Sequence, residues 1–299
     1  MNSAFFKDIG GREEQQDAGA IFQLENQTFM VVADGMGGHK GGALASSTLL
    51  KIAENKFLFH NNSIKNSPRY FFDTIIEETK KELAKICKND TIDPNTTVIF
   101  ALIKNNSIYY AYIGDSRLYL FEKEKKLIFR TRDHSLPEML FQDKQIEEKE
   151  ISTHPQQNVL TKSIGIDSLD IAQYGEIKLT KHKEYRLMLA SDGLWAMIQE
   201  KELYNELFSE KSLEVSTKKL LSIAKHRGGN NGDNISIATL NIKKKSSRKY
   251  LITLFITTLL TISIYLFTHQ NQTSIIEEEH NSTEINQTKP SIYINWATG

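Results

Sequence analysis

The chain has 299 residues, of which 39% are hydrophobic and 25% charged, enough for one large or two ordinary folded domains. Lysine plus arginine and aspartate plus glutamate each number 37, so the formal net charge is zero and gives no argument for a nucleic-acid partner. The single cysteine, Cys87, excludes an intramolecular disulfide framework and a thiolate-rich zinc site.

The first distinctive segment is VVADGMGGHKGG, Val31 to Gly42, in which five glycines follow an apolar run and surround one aspartate. Glycine is the residue that tolerates a positive φ and a close approach of the backbone to another group. The segment therefore predicts a strand that ends in a sharp functional turn with Asp34 at its mouth.

Strands and helices are both predicted before residue 243, in a single domain without an internal repeat. Helical patterning covers Gly42 to Phe57, Arg69 to Lys88 and Ser212 to His226, the last with Ser212 as N-cap and Gly228 just past its end. Short consecutive β-like runs indicate antiparallel sheets, so the domain is predicted to be α+β. These runs are Thr28 to Val32, Thr97 to Ile103, Ser107 to Ile113, Arg117 to Phe121, Arg186 to Leu189 and Ile235 to Leu240.

Four aspartates recur near the ends of β-like runs, inside glycine turns: Asp34, Asp115, Asp192 and Asp233, with Asp17 as a possible fifth. Carboxylates that converge in a cleft repel one another unless a cation neutralises them. An all-oxygen ligand set favours Mg²⁺ or Mn²⁺ over zinc. Each Asp-Gly pair taken singly is more often an ordinary turn.

Taken together, these segments resemble the bacterial form of the protein phosphatase 2C family of metal-dependent protein phosphatases. The resemblance rests on eight segments in the family's order: REEQQD, VVADGMGGHKGGALAS, NTTVIFALI, YYAYIGDSRLYLF, TRDHSL, HPQQNVLTKSIG, LMLASDGLW and GDNISIATL. It implies a four-layer αββα sandwich of two antiparallel sheets flanked by helices, with a binuclear Mn²⁺ or Mg²⁺ centre at one edge.

The resemblance also implies roles for individual residues. Asp34 resembles the carboxylate that bridges two metals, the Gly35 carbonyl completes the second metal's ligands, and Asp192 and Asp233 resemble the ligands of the first. Asp17 resembles a supporting acid of the family, and Arg12 resembles the arginine that holds the substrate phosphate. Asp115 resembles a ligand that, together with Asp192, holds a third, weaker metal.

The implied chemistry is hydrolysis of phosphoserine and phosphothreonine by a water that bridges two divalent cations and loses its proton near neutral pH. Arg12, Asp34 and Asp192 are the predicted catalytic residues, and a planar guanidinium suits Arg12 for holding two phosphate oxygens. An ordinary surface ion pair of Arg12 with Glu13 or Glu14 is the competing interpretation. Met36 stands where many eukaryotic relatives carry a histidine proposed to protonate the leaving group, so the proton donor is unassigned here.

A membrane anchor is predicted near the C-terminus. Tyr250 to Phe267 holds 18 uncharged residues, which as a helix would span about 27 Å, close to the thickness of a bilayer core. The basic segment 243–249 before it favours a single-pass anchor at 250–268 that contacts membrane lipid and leaves domain 1–242 in the cytoplasm. The polar tail 269–299 is predicted to lie outside without a folded structure.

The leading hypothesis is a membrane-anchored serine/threonine protein phosphatase that acts on phosphorylated proteins and opposes a serine/threonine kinase. The alternative is an inactive relative that binds phosphoproteins, whose signature would be the loss of a metal carboxylate. A third, minor hypothesis makes the outer tail a sensor that controls the inner domain.

Overall fold

The structure is a computed structural model that describes residues 2–24, 26–59, 67–88, 92–209, 211–243 and 257–266. It divides into two compact units, Met1–Lys244 and Lys245–Gly299. The first unit holds every strand of the described residues, and the described part of the second is a helix over 257–266.

The first unit contains twelve strands within its described residues. They are β1 (Asn2–Asp8), β2 (Ala18–Leu24), β3 (Gln27–Ala33), β4 (Gly35–Met36), β5 (Asn95–Thr96), β6 (Val98–Lys104), β7 (Ser107–Ile113), β8 (Arg117–Glu122), β9 (Lys126–Arg130), β10 (Gln173–Lys178), β11 (Glu184–Ala190) and β12 (Ile235–Lys243). Ten of them form two five-stranded antiparallel sheets, ordered β1-β12-β11-β8-β9 and β10-β7-β6-β3-β2. The short strands β4 and β5 pair separately.

Helices connect and cover these strands. Those of the first unit are α1 (Gly38–Phe59), α2 (Pro68–Ile86), α3 (Leu136–Gln142), α4 (Asp192–Trp195), α5 (Glu200–Leu207) and α6 (Leu213–Gly228), with 3₁₀ turns at Glu148–Thr153 and Gly229–Asn231. The predicted N-cap is confirmed, because Ser212 accepts a hydrogen bond from the Val215 amide. The predicted end of that helix is wrong: Gly228 is still helical, and Gly229 ends the helix with a φ of 60°.

Alternating side chains explain the layers. Along β3, Phe29 and Val31 pack with Phe57 of α1 and Phe72 of α2 in one core cluster. Met30 and Val32 face the other way, into a cluster shared with β8, β11 and β12. Strand residues alternate between the two faces of a sheet, so β3 is apolar from Phe29 to Ala33 because both of its faces are buried there.

A third core cluster covers the other sheet. Tyr119 and Ile237 pack there with Leu203 of α5 and Leu220 of α6. Helices therefore lie on the outer face of each sheet and the two sheets face one another. This confirms the predicted α+β sandwich of two antiparallel sheets with flanking helices.

The predicted membrane segment is described only in part. Within the described residues no helix is both long enough and apolar enough to cross a membrane. Residues 250–256 and 267–268 of the predicted span lie outside the described residues, as do 244–249 and the tail 269–299. Lys243, assigned from the sequence to the basic segment, is the last residue of β12.

Candidate active site

Four of the aspartates singled out in the sequence meet at one edge of the sandwich. Asp34 follows β3, Asp115 follows β7 after one glycine, Asp192 begins α4 just after β11, and Asp233 precedes β12. The strands thus deliver carboxylates from distant parts of the chain to one place. There they line a cleft of about 440 Å³ together with Arg12 and Gly35.

Asp34 is held by its own backbone. Its amide donates to Thr97 Oγ1 (3.1 Å), and its carbonyl accepts hydrogen bonds from the Thr97 amide (2.8 Å) and from Thr96 Oγ1 (2.9 Å). The next residue must be glycine, because a Cβ on Gly35 would lie 2.1 Å from the Gly42 carbonyl oxygen. This close approach packs the start of α1 against the turn that carries Asp34.

Asp17 does not line the cleft but lies behind it. It is 2% exposed, and its Oδ2 accepts a hydrogen bond of 2.8 Å from Ser191 Oγ. The same hydroxyl accepts a hydrogen bond of 2.9 Å from the Ser236 amide. Because Ser191 precedes Asp192, Asp17 bears on the cleft through the backbone that carries Asp192.

Burial, and after it the charge of neighbouring carboxylates, raises the pKa values of Asp17, Asp34, Asp115 and Asp192. Burial raises the pKa of Asp17 to about 7, with a further contribution from the charge of Asp192. Burial and the charge of Asp233 raise the pKa of Asp192 to about 6. The pKa values of Asp34 and Asp115 are raised for the same reasons, burial first and neighbouring carboxylates second.

This concentration of charge fits a divalent cation. Asp17 Oδ1 and Asp192 Oδ1 are buried without a hydrogen-bond partner. As they stand, no three acidic, histidine or cysteine side chains of the described residues close around a single point as a metal site. Nevertheless, unpartnered oxygens and mutual repulsion are what a cation with oxygen ligands relieves, and this donor set suits Mg²⁺ or Mn²⁺.

Arg12 reaches the same carboxylates from the rim. Its Nη2 lies 2.7 Å from Asp233 Oδ2, and its side chain is 52% exposed. The competing interpretation, an ion pair of Arg12 with Glu13 or Glu14, is therefore wrong, because the partner is a carboxylate of the cleft. An exposed guanidinium at this position can receive an anion that enters the cleft.

A second set of residues fixes the loop that carries Asp115. Arg117 makes a two-point ion pair with Asp133, at 2.8 and 2.6 Å, and its guanidinium lies 3.4 Å from the centre of the Trp195 ring. Trp195 Nε1 donates to the Asp115 carbonyl at 3.0 Å. His134 supports the adjacent turn, since its Nδ1 accepts from the Gly114 amide at 3.1 Å.

Several cleft residues were not singled out from the sequence. Glu13, Glu14, Asn158, Leu160 and Asn234 all contribute to its lining. The Asn of GDN and the two glutamates of REEQQD lie inside quoted segments, so position in a motif was the signal for them. Asn158 and Leu160 also lie inside a quoted segment, HPQQNVLTKSIG, but nothing in its sequence indicated that these two residues line the cleft.

Comparison with known proteins agrees with the fold and the cleft. The family described as protein phosphatase 2C matches residues 9–227. Protein phosphatase PhpP of Streptococcus pneumoniae serotype 2 is 30% identical over 251 residues, which cover 83% of this chain and 100% of the relative. The serine/threonine phosphatase stp of Listeria monocytogenes serovar 1/2a is 29% identical over 247 residues, covering 79% of this chain and 94% of the relative.

A solved structure shows the same similarity in three dimensions. The serine/threonine phosphatase of S. agalactiae superposes with a TM-score of 0.70 at 29% identity, over 81% of this chain and 99% of the other. The family match spans the strands that deliver Asp34, Asp115 and Asp192 and the loop that carries Arg12. The chain therefore belongs to the protein phosphatase 2C family.

Proposed function

We propose that this chain, a serine/threonine protein phosphatase by its family, hydrolyses phosphoserine and phosphothreonine in proteins at the described cleft, with Mn²⁺ or Mg²⁺ as cofactor. The observation that carries the proposal is the convergence of Asp34, Asp192 and Asp233 with Arg12 in one cleft. Three carboxylates and a guanidinium from four separate segments meet there, and folding alone does not require three carboxylates to lie so close together. Divalent cations bound by the carboxylates, and a dianionic phosphate bound by the cations and the guanidinium, would account for this arrangement.

The proposed cation ligands are carboxylates and one carbonyl. Asp34 and the Gly35 carbonyl would hold one cation, and Asp34, Asp192 and Asp233 the other. Asp115 with Asp192 would hold a third, weaker one. Bound cations would supply the positive charge that lowers the pKa of a water near phosphorus and polarises the phosphoryl oxygens.

The protein's own groups bind and orient the substrate. Arg12 offers a planar pair of donors to phosphate oxygens and offsets the charge that develops in the transition state. In this role its guanidinium exchanges part of its 2.7 Å contact with Asp233 for the phosphate. Asp17 acts as a positioning residue, because its hydrogen bond to Ser191 fixes the start of α4.

The test follows release of phosphate from a phosphothreonine peptide by the full chain, with Mn²⁺, with Mg²⁺ and with chelator. Asp192→Asn is the test variant and Asp167→Asn, on an exposed loop away from the cleft, the matched control. Metal-dependent release that is lost in Asp192→Asn and kept in Asp167→Asn supports the proposal. A folded chain that releases nothing from several phosphopeptides contradicts it and favours the phosphoprotein-binding alternative.

We further propose that the phosphatase unit is tethered to the cytoplasmic face of a membrane by 250–268 and opposes a serine/threonine kinase there. Support for the tether comes from the 18 uncharged residues Tyr250 to Phe267 and the lysines and arginine before them. The kinase follows from the chemistry, since a phosphorylated hydroxyl must first be made. Sedimentation of the full chain with membranes after alkaline extraction, compared with a chain ending at Ile242, tests the tether. Recovery of both chains in the supernatant would contradict it.

A further inference from the structure

The rim of the cleft carries two glutamates beside the phosphate-binding arginine. Gly11 to Glu14 are all exposed, and all four residues line the cleft. Arg12 is the one cation among the cleft-lining residues of the described chain. Asn158 and Leu160, which also line the cleft, are uncharged, so Glu13 and Glu14 are the negative charges of the lining apart from the aspartates.

The backbone of this rim is fixed. Asn234 joins it at three points: its Nδ2 donates to the carbonyls of Ile9 (2.8 Å) and Glu14 (3.0 Å), and its Oδ1 accepts from the Gln16 amide (2.7 Å). The Gly11 amide adds a hydrogen bond of 2.9 Å to the Gly232 carbonyl. The two glutamates therefore stand at a constant place relative to Asp233 and the cleft.

The carboxylates of Glu13 and Glu14 are not paired with other side chains of the described residues. Some exposed glutamates elsewhere in the described residues pair with cations, as Glu77 does with Lys80 (3.3 Å) and Glu148 with Arg132 (2.8 Å). Glu13 and Glu14 take part in no ion pair or side-chain hydrogen bond within the described part of the chain. Two unpaired carboxylates on a rigid rim are available to a ligand.

The negative charges that remain in the occupied cleft indicate that the ligand is positively charged near its phosphate. In the proposed function the buried aspartates are neutralised by divalent cations, and the substrate phosphate is held by those cations and Arg12. Glu13 and Glu14 are then the negative charges that remain beside the phosphate. We infer that Glu13 and Glu14 make the enzyme select phosphopeptides that carry lysine or arginine within two residues of the phosphorylated one, an inference that rests on the proposed function.

The reach is suitable for this contact. Residues two apart on an extended peptide lie about 7 Å apart with their side chains on the same side. Glu14 is two residues from Arg12, so its Cα also lies at most about 7 Å from that of Arg12. A peptide with its phosphate at Arg12 can therefore place a flanking lysine or arginine side chain within reach of Glu13 or Glu14.

The experiment uses the full chain with Mn²⁺ and three phosphothreonine peptides. The peptides differ only at the two positions on each side of the phosphothreonine, which are all lysine, all alanine or all glutamate. An aryl phosphate without flanking residues reports catalysis by itself. We expect kcat/KM to be about tenfold higher for the lysine peptide than for the glutamate peptide at low salt, from two solvent-exposed charge pairs. The ratio should shrink at about 0.5 M salt, where the Debye length falls to a few ångströms.

Variants assign the preference to the rim. Glu13→Gln with Glu14→Gln should bring the lysine-to-glutamate ratio close to one, and Glu13→Lys with Glu14→Lys should invert it. The single variants should each give part of the effect and replace the pairs if those do not fold. The control Glu54→Gln, on an exposed part of α1, should keep the wild-type ratio.

Equal hydrolysis of all three peptides by the wild type would overturn the inference and leave the proposed function standing. A preference for the lysine peptide that persists in the glutamine variants would also overturn it. If neither the peptides nor the aryl phosphate is hydrolysed with Mn²⁺, the proposed function and the inference fail together.

Discussion

Arg12 Nη2 lies 2.7 Å from Asp233 Oδ2, although the two residues are separated by almost the whole phosphatase unit. Their contact is possible because Gly10 and Gly11 bring the first loop against the loop before β12. A Cβ on Gly10 would lie 2.0 Å from the Asp233 carbonyl oxygen. The arginine proposed to hold phosphate would thus compete, in the absence of substrate, with the proposed cations for the same carboxylate.

Substitution of Arg12 should separate its two roles. We expect kcat/KM for a phosphothreonine peptide to fall about tenfold in Arg12→Lys and about 100-fold in Arg12→Ala, because the two-point grip on phosphate is lost. Arg12→Ala should also bind Mn²⁺ more tightly, since Asp233 loses its competing cation. Peptide kinetics and calorimetric titration with Mn²⁺ measure these effects. Weaker Mn²⁺ binding in Arg12→Ala would contradict the competition.

Asp192→Asn should stabilise the chain without metal while it removes catalysis. The neutral amide removes the cost of burying the Asp192 charge, whose Oδ1 has no hydrogen-bond partner, and its repulsion with Asp233. At pH 8 we expect the free energy of unfolding in chelator to rise by about 1–3 kcal/mol, the cost that a pKa shift of this size implies. Denaturant unfolding measures it, with Asp167→Asn as the control. A loss of stability in chelator would show that the ionised carboxylate is not repelled.

The positions of the site residues could be predicted because the information is local. A strand followed at once by a glycine turn places an aspartate at a sheet edge, as at Asp34 and Asp115, and the motif order made their convergence predictable. Asp17 differs. Its motif was recognised, but its place behind the cleft depends on a hydrogen bond to Ser191, 174 residues away, which no local pattern encodes.

Four of the strands that were not predicted, β1, β2, β9 and β10, share a position at a sheet edge. β9 and β10 lie at sheet edges and show mixed exposure, so their sequences lack the strong apolar alternation of a half-buried strand. β1 is also an edge strand, and its pairing with β12 joins the two ends of the unit. Such pairing depends on the rest of the fold, whereas β6 and β7, apolar and joined by a tight turn, were visible in the sequence.

Breaking the ion pair between Arg117 and Asp133 should be among the most destabilising single changes in the cleft wall. Both side chains are almost fully buried, at 6% and 1% exposed, so removal of one charge leaves the other unpaired inside the protein. We expect Asp133→Asn to lower the free energy of unfolding by about 3–5 kcal/mol. The exposed pair of Lys85 and Glu82 provides the control, and Lys85→Ala should cost less than about 0.5 kcal/mol. Equal losses in the two variants, measured by denaturant unfolding, would contradict this difference.

The stability of the metal-free chain should fall as the pH rises. Asp17 and Asp192 have an ordinary pKa of 3.8, but in the folded chain burial raises the pKa values to about 7 and about 6. Between these limits the folded state binds more protons than the unfolded state, so the free energy of unfolding decreases with pH. The contribution of the two protonated carboxyls to stability is complete below pH 3.8. It is lost as the pH rises from 3.8 through the folded pKa values of about 6 and about 7, at up to about 1.4 kcal/mol per pH unit for each carboxyl.

Mn²⁺ should reverse this loss, because cations bind the ionised carboxylates and compete with protons. Thermal unfolding in chelator and in Mn²⁺ at about pH 5.5 and about pH 8 measures the effect, and we expect the Mn²⁺-induced rise in Tm to be several degrees larger at the higher pH. Asp192→Asn should lose most of that difference because one ligand is gone. A rise in Tm that is the same at both pH values would mean that the carboxylates are already ionised at the lower pH, against the burial that raises their pKa values.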